Sequence, residues 1–153
     1  MQYMCNLIAV KNIEHSKAFY QDVLGQQVVE DLGANVTLTG GFALQTTESW
    51  QDFIHKNAAE IAYGGHDAEL VFEETDMDGF LEKLKKFDVE YVHPLQEHEW
   101  GQRVIRFYDL DRHIIEVGEN MAVVVRRFLD SGMTVEETAV RMAVPVEYVR
   151  ELL

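Results

Sequence analysis

One order of segments, strand-helix-strand-strand-strand, is written twice into this chain, and nothing else limits its possible folds so much. In the first pass, residues 5–10 read as a short apolar strand. Residues Ile13 to Leu24 then place Ile13, Tyr20 and Val23/Leu24 on one helical stripe, and Gly25 follows where a left-handed stop is expected. Strand-like pieces at 27–31, 36–38 and 42–46 are punctuated by Gly33 and Gly40-Gly41. The second pass restarts at Glu69-Leu70-Val71-Phe72. Asp76 is the N-cap of a helix that buries Met77, Phe80, Leu84 and Phe87, with Glu82 and Lys86 as an exposed i,i+4 pair. Strands at 91–95, 103–108 and 114–117 complete it.

Under one constant shift Ile13 meets Met77, Tyr20 meets Leu84, Val23 meets Phe87 and Val28 meets Val92. A longer turn in the second half brings Gln45 opposite Glu116. A βαβββ unit covers only one face of its sheet with its own helix, so two such units can enclose a cavity between their open faces. The expected fold class is therefore α+β. Two βαβββ modules, 4–46 and 68–118, form a shared cavity within a domain of residues 1–120, and a short helical extension fills 121–153.

Strand alternation sorts the side chains between helix and cavity. Ile8 and Val10, Leu44, Leu70 and Phe72, Ile105 and Phe107, and Ile115 and Val117 take the helix side. The other parity collects Cys5, Gln45, Glu69 and Glu116, with Arg106 and Tyr108 beside them. Two carboxylates, an amide and a thiol can hold a divalent ion. The same residues can instead form an arginine-carboxylate cluster in a polar pocket, with Arg106 neutralising a glutamate. No histidine has this parity. His93, before Pro94, and His98, near Trp100, read as loop residues, and Trp100 is placed to close over a pocket. Trp50, Phe53 and Ile54 mark a short amphipathic helix in the connection between the modules.

Bulk properties narrow the class. The chain has 153 residues, 47% hydrophobic and 26% charged, which is enough to bury a real core. No apolar run reaches the length of a membrane helix. The start of the chain has neither a basic segment nor a long apolar stretch, so no signal peptide is expected, and the lone Cys5 suits a reducing compartment. The cytoplasm is the expected location. The net charge is −14, which repels phosphate backbones and anionic lipid. Nucleic acid and membrane are thus not the expected partners; a small molecule and a second copy of the chain are.

The stretches Ala9-Val10-Lys11-Asn12-Ile13-Glu14 and Ala18-Phe19-Tyr20-Gln21-Asp22-Val23-Leu24-Gly25 resemble the opening of vicinal oxygen chelate proteins. The stretch from Trp100 to Val117 resembles their close, with Asp109-Leu110-Asp111-Arg112 standing where the family has an Asp-Pro-Asp-Gly turn. This is the superfamily of glyoxalases (lactoylglutathione lyases), bleomycin-resistance proteins and extradiol dioxygenases. The resemblance implies a lyase or isomerase acting on a small oxygenated metabolite, with a metal-free, antibiotic-sequestering protein as the alternative. By position it places the metal ligands at Cys5, Gln45, Glu69 and Glu116, and only Glu116 is the usual residue. The ion implied is manganese, magnesium, nickel or zinc, with a metal-free site equally open. Glu116 and Glu69 are the expected catalytic carboxylates, and Arg106, Tyr108, Trp100 and Trp50 the expected substrate contacts.

The last stretch reads as three helices. An apolar run from Met121 to Leu129 is stopped by Asp130-Ser131-Gly132. Thr134-Val135-Glu136-Glu137 opens the second helix as a capping box, and Pro145 opens the third. Helix, tight turn and helix resemble half of a helix-turn-helix. The tail nevertheless lacks the basic footprint of a DNA reader, so packing on the domain or a partner subunit is expected of Val124, Val125, Phe128, Met142, Val149 and Leu152.

Overall fold

The computed structural model describes residues 1–153. Its elements run β1 (Asn6–Val10), α1 (Ile13–Leu24), β2 (Val28–Asp31), β3 (Asn35–Leu38), β4 (Phe42–Thr46), α2 (Thr47–Ile54), β5 (Glu69–Glu74), α3 (Met77–Leu84), β6 (Tyr91–Glu97), β7 (Arg103–Tyr108), β8 (Ile114–Glu119), α4 (Met121–Asp130), α5 (Val135–Met142) and α6 (Val146–Glu151). The strands form two four-stranded sheets, ordered β1-β4-β3-β2 and β5-β8-β7-β6. Each sheet has one parallel pair, β1 with β4 and β5 with β8. The helix after each first strand carries the chain to the far edge of the sheet, and two antiparallel pairings then bring the fourth strand back beside the first. The chain divides into two compact units, residues 1–68 with 109–113 and residues 69–108 with 114–153. No helix is long and apolar enough to cross a membrane.

In the first unit Asn12 caps α1 by accepting from the His15 N–H, and Gly25 ends it at φ 68°. Tyr20 and Val23 on its inner stripe are buried, and the Tyr20 ring meets Phe42 of β4 edge-on at 5.1 Å. Tyr20 has to satisfy its hydroxyl there, and it does so by donating to Asp109 Oδ2 at 2.8 Å. Burial first, then the Asp109 charge, holds the Tyr20 pKa well above 10.0. Asp109 also accepts from His113 Nδ1 at 2.8 Å and from the Asp111 N–H at 2.9 Å, so one buried carboxylate organises the whole turn. Arg112 of that turn stands at φ 69°, the position where the related turn carries glycine.

In the second unit α3 lies on the face formed by Ile105, Phe107, Ile115 and Val117. Phe80 stacks on Phe107 at 6.4 Å, with Met77 and Leu84 buried beside it. Each of these side chains contributes about 1.5–3 kcal/mol by leaving water. The helix stops at Leu84, one turn before the sequence pattern suggests. Lys85 takes the cap, and it, not Lys86, pairs with Glu82 at 2.6 Å; Phe87 lies beyond the helix and is half-buried.

The apolar residues of the tail bury chiefly one another, where the sequence predicts packing on the domain or a partner subunit. Val124, Val125, Phe128, Ala139, Met142 and Val149 form one buried cluster, with Leu152 half-buried at its rim. Thr134 and Glu137 close the capping box of α5, and Pro145 caps α6.

Candidate active site on the open face of the second sheet

The face of β5-β8-β7-β6 turned away from α3 carries the charged residues that strand parity assigns to it. Arg106 on β7 lies directly opposite Glu116 on β8, and His93 on β6 lies directly opposite Arg106. Arg106 Nε donates to Glu69 Oε2 at 2.8 Å and Nη2 donates to Glu69 Oε1 at 3.4 Å. Nη2 also donates to Glu116 Oε2, and Nη1 donates to His93 Nε2 at 3.2 Å. The guanidinium of β7 therefore ties all four strands of the sheet together through three different partners.

This geometry selects the tautomer of His93. Its Nδ1 lies 2.8 Å from the Pro94 carbonyl, which can only accept, and its Nε2 faces a guanidinium, which can only donate. The neutral tautomer with hydrogen on Nδ1 is the one that satisfies both. Next along, His98 stacks on Trp100 with ring centres 4.2 Å apart. Burial first, then the Arg106 charge, holds the His98 pKa below 6.5.

The residues expected from sequence fall into separate groups. Glu69, Glu116 and Arg106 come together on this face. Tyr108 shares their strand parity and is buried at the end of β7, while Trp100 sits in the β6-β7 turn. Gln45, Cys5 and Trp50 belong to the first unit. Gln45 is buried, accepts from Asn35 Nδ2 at 2.7 Å and donates to Ser49; Cys5 is half-buried just before β1; Trp50 is half-buried on α2. His93 is a correction. Sequence sets it at a loop edge, off the face of the charged cluster, yet within β6 it faces Arg106. Register shifts between Tyr91 and His93 and between His93 and Gln96 make room for the proline and break the simple alternation.

The donor set does not fit a divalent ion as it stands. No three His, Cys, Asp or Glu side chains gather closely enough to hold one. Between the carboxylates of Glu69 and Glu116 stands the Arg106 guanidinium, a cation of their own chain that an incoming metal would have to displace. A groove of about 450 Å³ between α3 and β6, lined in part by Leu81, Tyr91, Leu95 and Ile105, lies on the helix side and holds none of this cluster.

A doubled βαβββ chain with a charged cluster on an open sheet face defines a protein of the paired-module, small-molecule class. The Glyoxalase-like domain model matches residues 3–122, and the chain belongs to that family. Among solved structures it is similar to a protein of unknown function from Agrobacterium tumefaciens, at 40% identity and TM-score 0.71, covering 78% of this chain and 94% of that one. It is also similar in fold to a lactoylglutathione lyase from Agrobacterium tumefaciens (20% identity, TM-score 0.58, 78% and 94% covered). A genomically encoded fosfomycin resistance protein from Listeria monocytogenes is comparable (18%, TM-score 0.58, 78% and 93%). No curated protein matches the chain.

Proposed function

We propose that the chain is a glyoxalase-related enzyme, a lyase or isomerase that moves a proton within a small oxygenated metabolite without a divalent ion. The observation that carries this reading is the Arg106 guanidinium held between Glu69 and Glu116. Glu69 grips it in two-point fashion and positions it; Glu116, directly opposite on β8, is the base. Glu116 takes a proton from the carbon beside a carbonyl. That carbon bears a hydroxyl. The electron pair moves onto the carbonyl oxygen to give an enediolate that Arg106 stabilises, and the proton returns to the former carbonyl carbon. The hydroxyl proton passes to the oxyanion as the hydroxyl carbon becomes the new carbonyl. No net oxidation occurs, and no co-reactant is needed. Tyr108 and Trp100 are the proposed substrate contacts.

The test uses one reaction named by a structural relative, lactoylglutathione formation, followed with chelator-treated protein. Glu116→Gln is expected to lower kcat by about 10²-fold or more, the usual contribution of a positioned acid or base. Undiminished turnover by that variant, or activity that appears only on adding metal, would sink the reading.

The ion itself gives a second expected result. The protein as it is should show no stoichiometric binding of manganese, nickel or zinc by calorimetry. Arg106→Met should gain a site, because two carboxylates and the lone pair of His93 Nε2 lose their only cation. Metal bound by the unaltered protein through Glu116 would refute metal independence.

A second reading is favoured by the stacked His98-Trp100 pair, which presents a flat aromatic surface beside the charged cluster. It is that of a sequestering protein of the bleomycin-resistance type, which binds its ligand and releases it unchanged. Recovery of chemically altered compound after binding separates the two.

A further inference from the structure

The turn between β6 and β7, which carries His98 and Trp100, is shaped by the C-terminal helices. Gly101 stands at φ 89° and is buried against the Phe128 ring of α4, so closely that a Cβ built there would lie 2.2 Å from the ring tip. Arg127 of α4 donates through Nη2 to Glu119 Oε2 at 3.0 Å and also reaches the Gly101 carbonyl. Its Nη1 lies 3.6 Å from Glu97 at the end of β6, and Arg141 of α5 lies 3.7 Å from the same carboxylate. From the other side, Gln102 accepts from the Trp100 indole N–H at 3.1 Å and donates to the Glu119 carbonyl at 2.9 Å. An unbroken series of contacts thus runs from Phe128 and Arg127, through Gly101, Glu119 and Gln102, to the Trp100 ring.

We propose that Arg127 and Phe128 are positioning residues for the candidate site, and that the C-terminal helices set the pose of Trp100 and its stacked partner His98. A tail serving only stability would need its own apolar cluster and a place to rest. It would have no need to bond the turn's carbonyl or to occupy the space a side chain at 101 would take. The proposal rests on reading the open face of the second sheet as the ligand site. It is nevertheless tested on the free protein, so its outcome does not depend on which compound binds.

The chain has two tryptophans, and their indole N–H groups give two separate nitrogen-proton resonances. Trp100→Phe assigns them. Arg127→Met and Phe128→Leu are each expected to move the Trp100 resonance, whose proton is bonded to Gln102, and to leave that of Trp50 on α2 in place. Arg127→Lys should restore the original position in large part. Lysine can still donate to the Gly101 carbonyl, and the arginine Nε that it lacks is buried with no acceptor. Two variants guard against one that fails to fold. If the Trp100 resonance stays put in both, or if both tryptophan resonances move together as in general loosening, the positioning role is overturned.

Discussion

Replacing Gly101 by alanine is expected to cost about 2–5 kcal/mol, a large fraction of the stability of a domain this size. Two effects add. At φ 89° an L side chain is strained, by roughly 1–2 kcal/mol. The new methyl would also meet two atoms of the Phe128 ring at 2.2 and 2.6 Å, and a buried ring cannot swing aside as the end of a lysine can. Overpacking of that kind costs about 1–3 kcal/mol. Urea unfolding measures the loss, and the melting temperature should fall by about 10 °C. A double variant with Phe128→Ala should recover the overpacking part only, since the backbone strain remains and a cavity is added. A Gly101→Ala protein within 1 kcal/mol of the parent would show that the turn yields readily to α4.

Arg103→Met is the second large effect, and it acts through Glu119. That side chain is fully buried and is held by Arg103 Nε at 3.1 Å and Nη2 at 2.7 Å and by Arg127 at 3.0 Å. Removing one partner of a buried charge costs about 3–5 kcal/mol, because the remaining carboxylate keeps its desolvation cost and loses its compensation. Burial pushes the Glu119 pKa up, and the two arginines outweigh it, leaving the value below the usual 4.5. A carboxyl whose folded value is lowered adds stability that is complete above 4.5 and disappears as pH falls through the folded value. The parent should therefore lose this contribution only in the acid range below 4.5. In Arg103→Met burial is opposed by Arg127 alone, so the decline should begin at higher pH. Unfolding curves across that range decide it, and parallel curves for the two proteins would rule out Glu119 as the group responsible.

Where local chemistry alone decides, the sequence is legible. The first helix spans Ile13 to Leu24 and stops at Gly25 as expected, Thr134 with Glu137 opens α5, and Pro145 opens α6. Strand parity also holds wherever a strand is regular, which is why Glu69, Glu116 and Arg106 meet as anticipated. It fails at β6, where two register shifts turn His93 onto Arg106. Period-two reasoning has no means of placing a bulge. Lys86 and Phe87 were out of reach for a different reason: α3 closes a turn early, at Leu84. Glu119 did leave a trace. It shares parity with Ile115 and Val117, and an acid in register with a buried apolar row calls for a cationic partner. The partners, Arg103 and Arg127, come from a neighbouring strand and from the tail, and only the folded chain brings them together.

The irregularity of β6 has a bearing on how the protein keeps company with its own copies. β6 is an outer strand of its sheet, with Tyr91, Val92 and Leu95 exposed along it. A flat outer strand so decorated invites another chain to zip onto its free amides and grow into fibres. Pro94 removes one amide from that row, and the two register shifts twist the rest out of line. β2, the last strand on one side of the other sheet, has exposed Val28 and Val29 and a register shift of its own between Val28 and Glu30. The same kink that delivers His93 to Arg106 thus makes β6 a poor template for a strand of another copy.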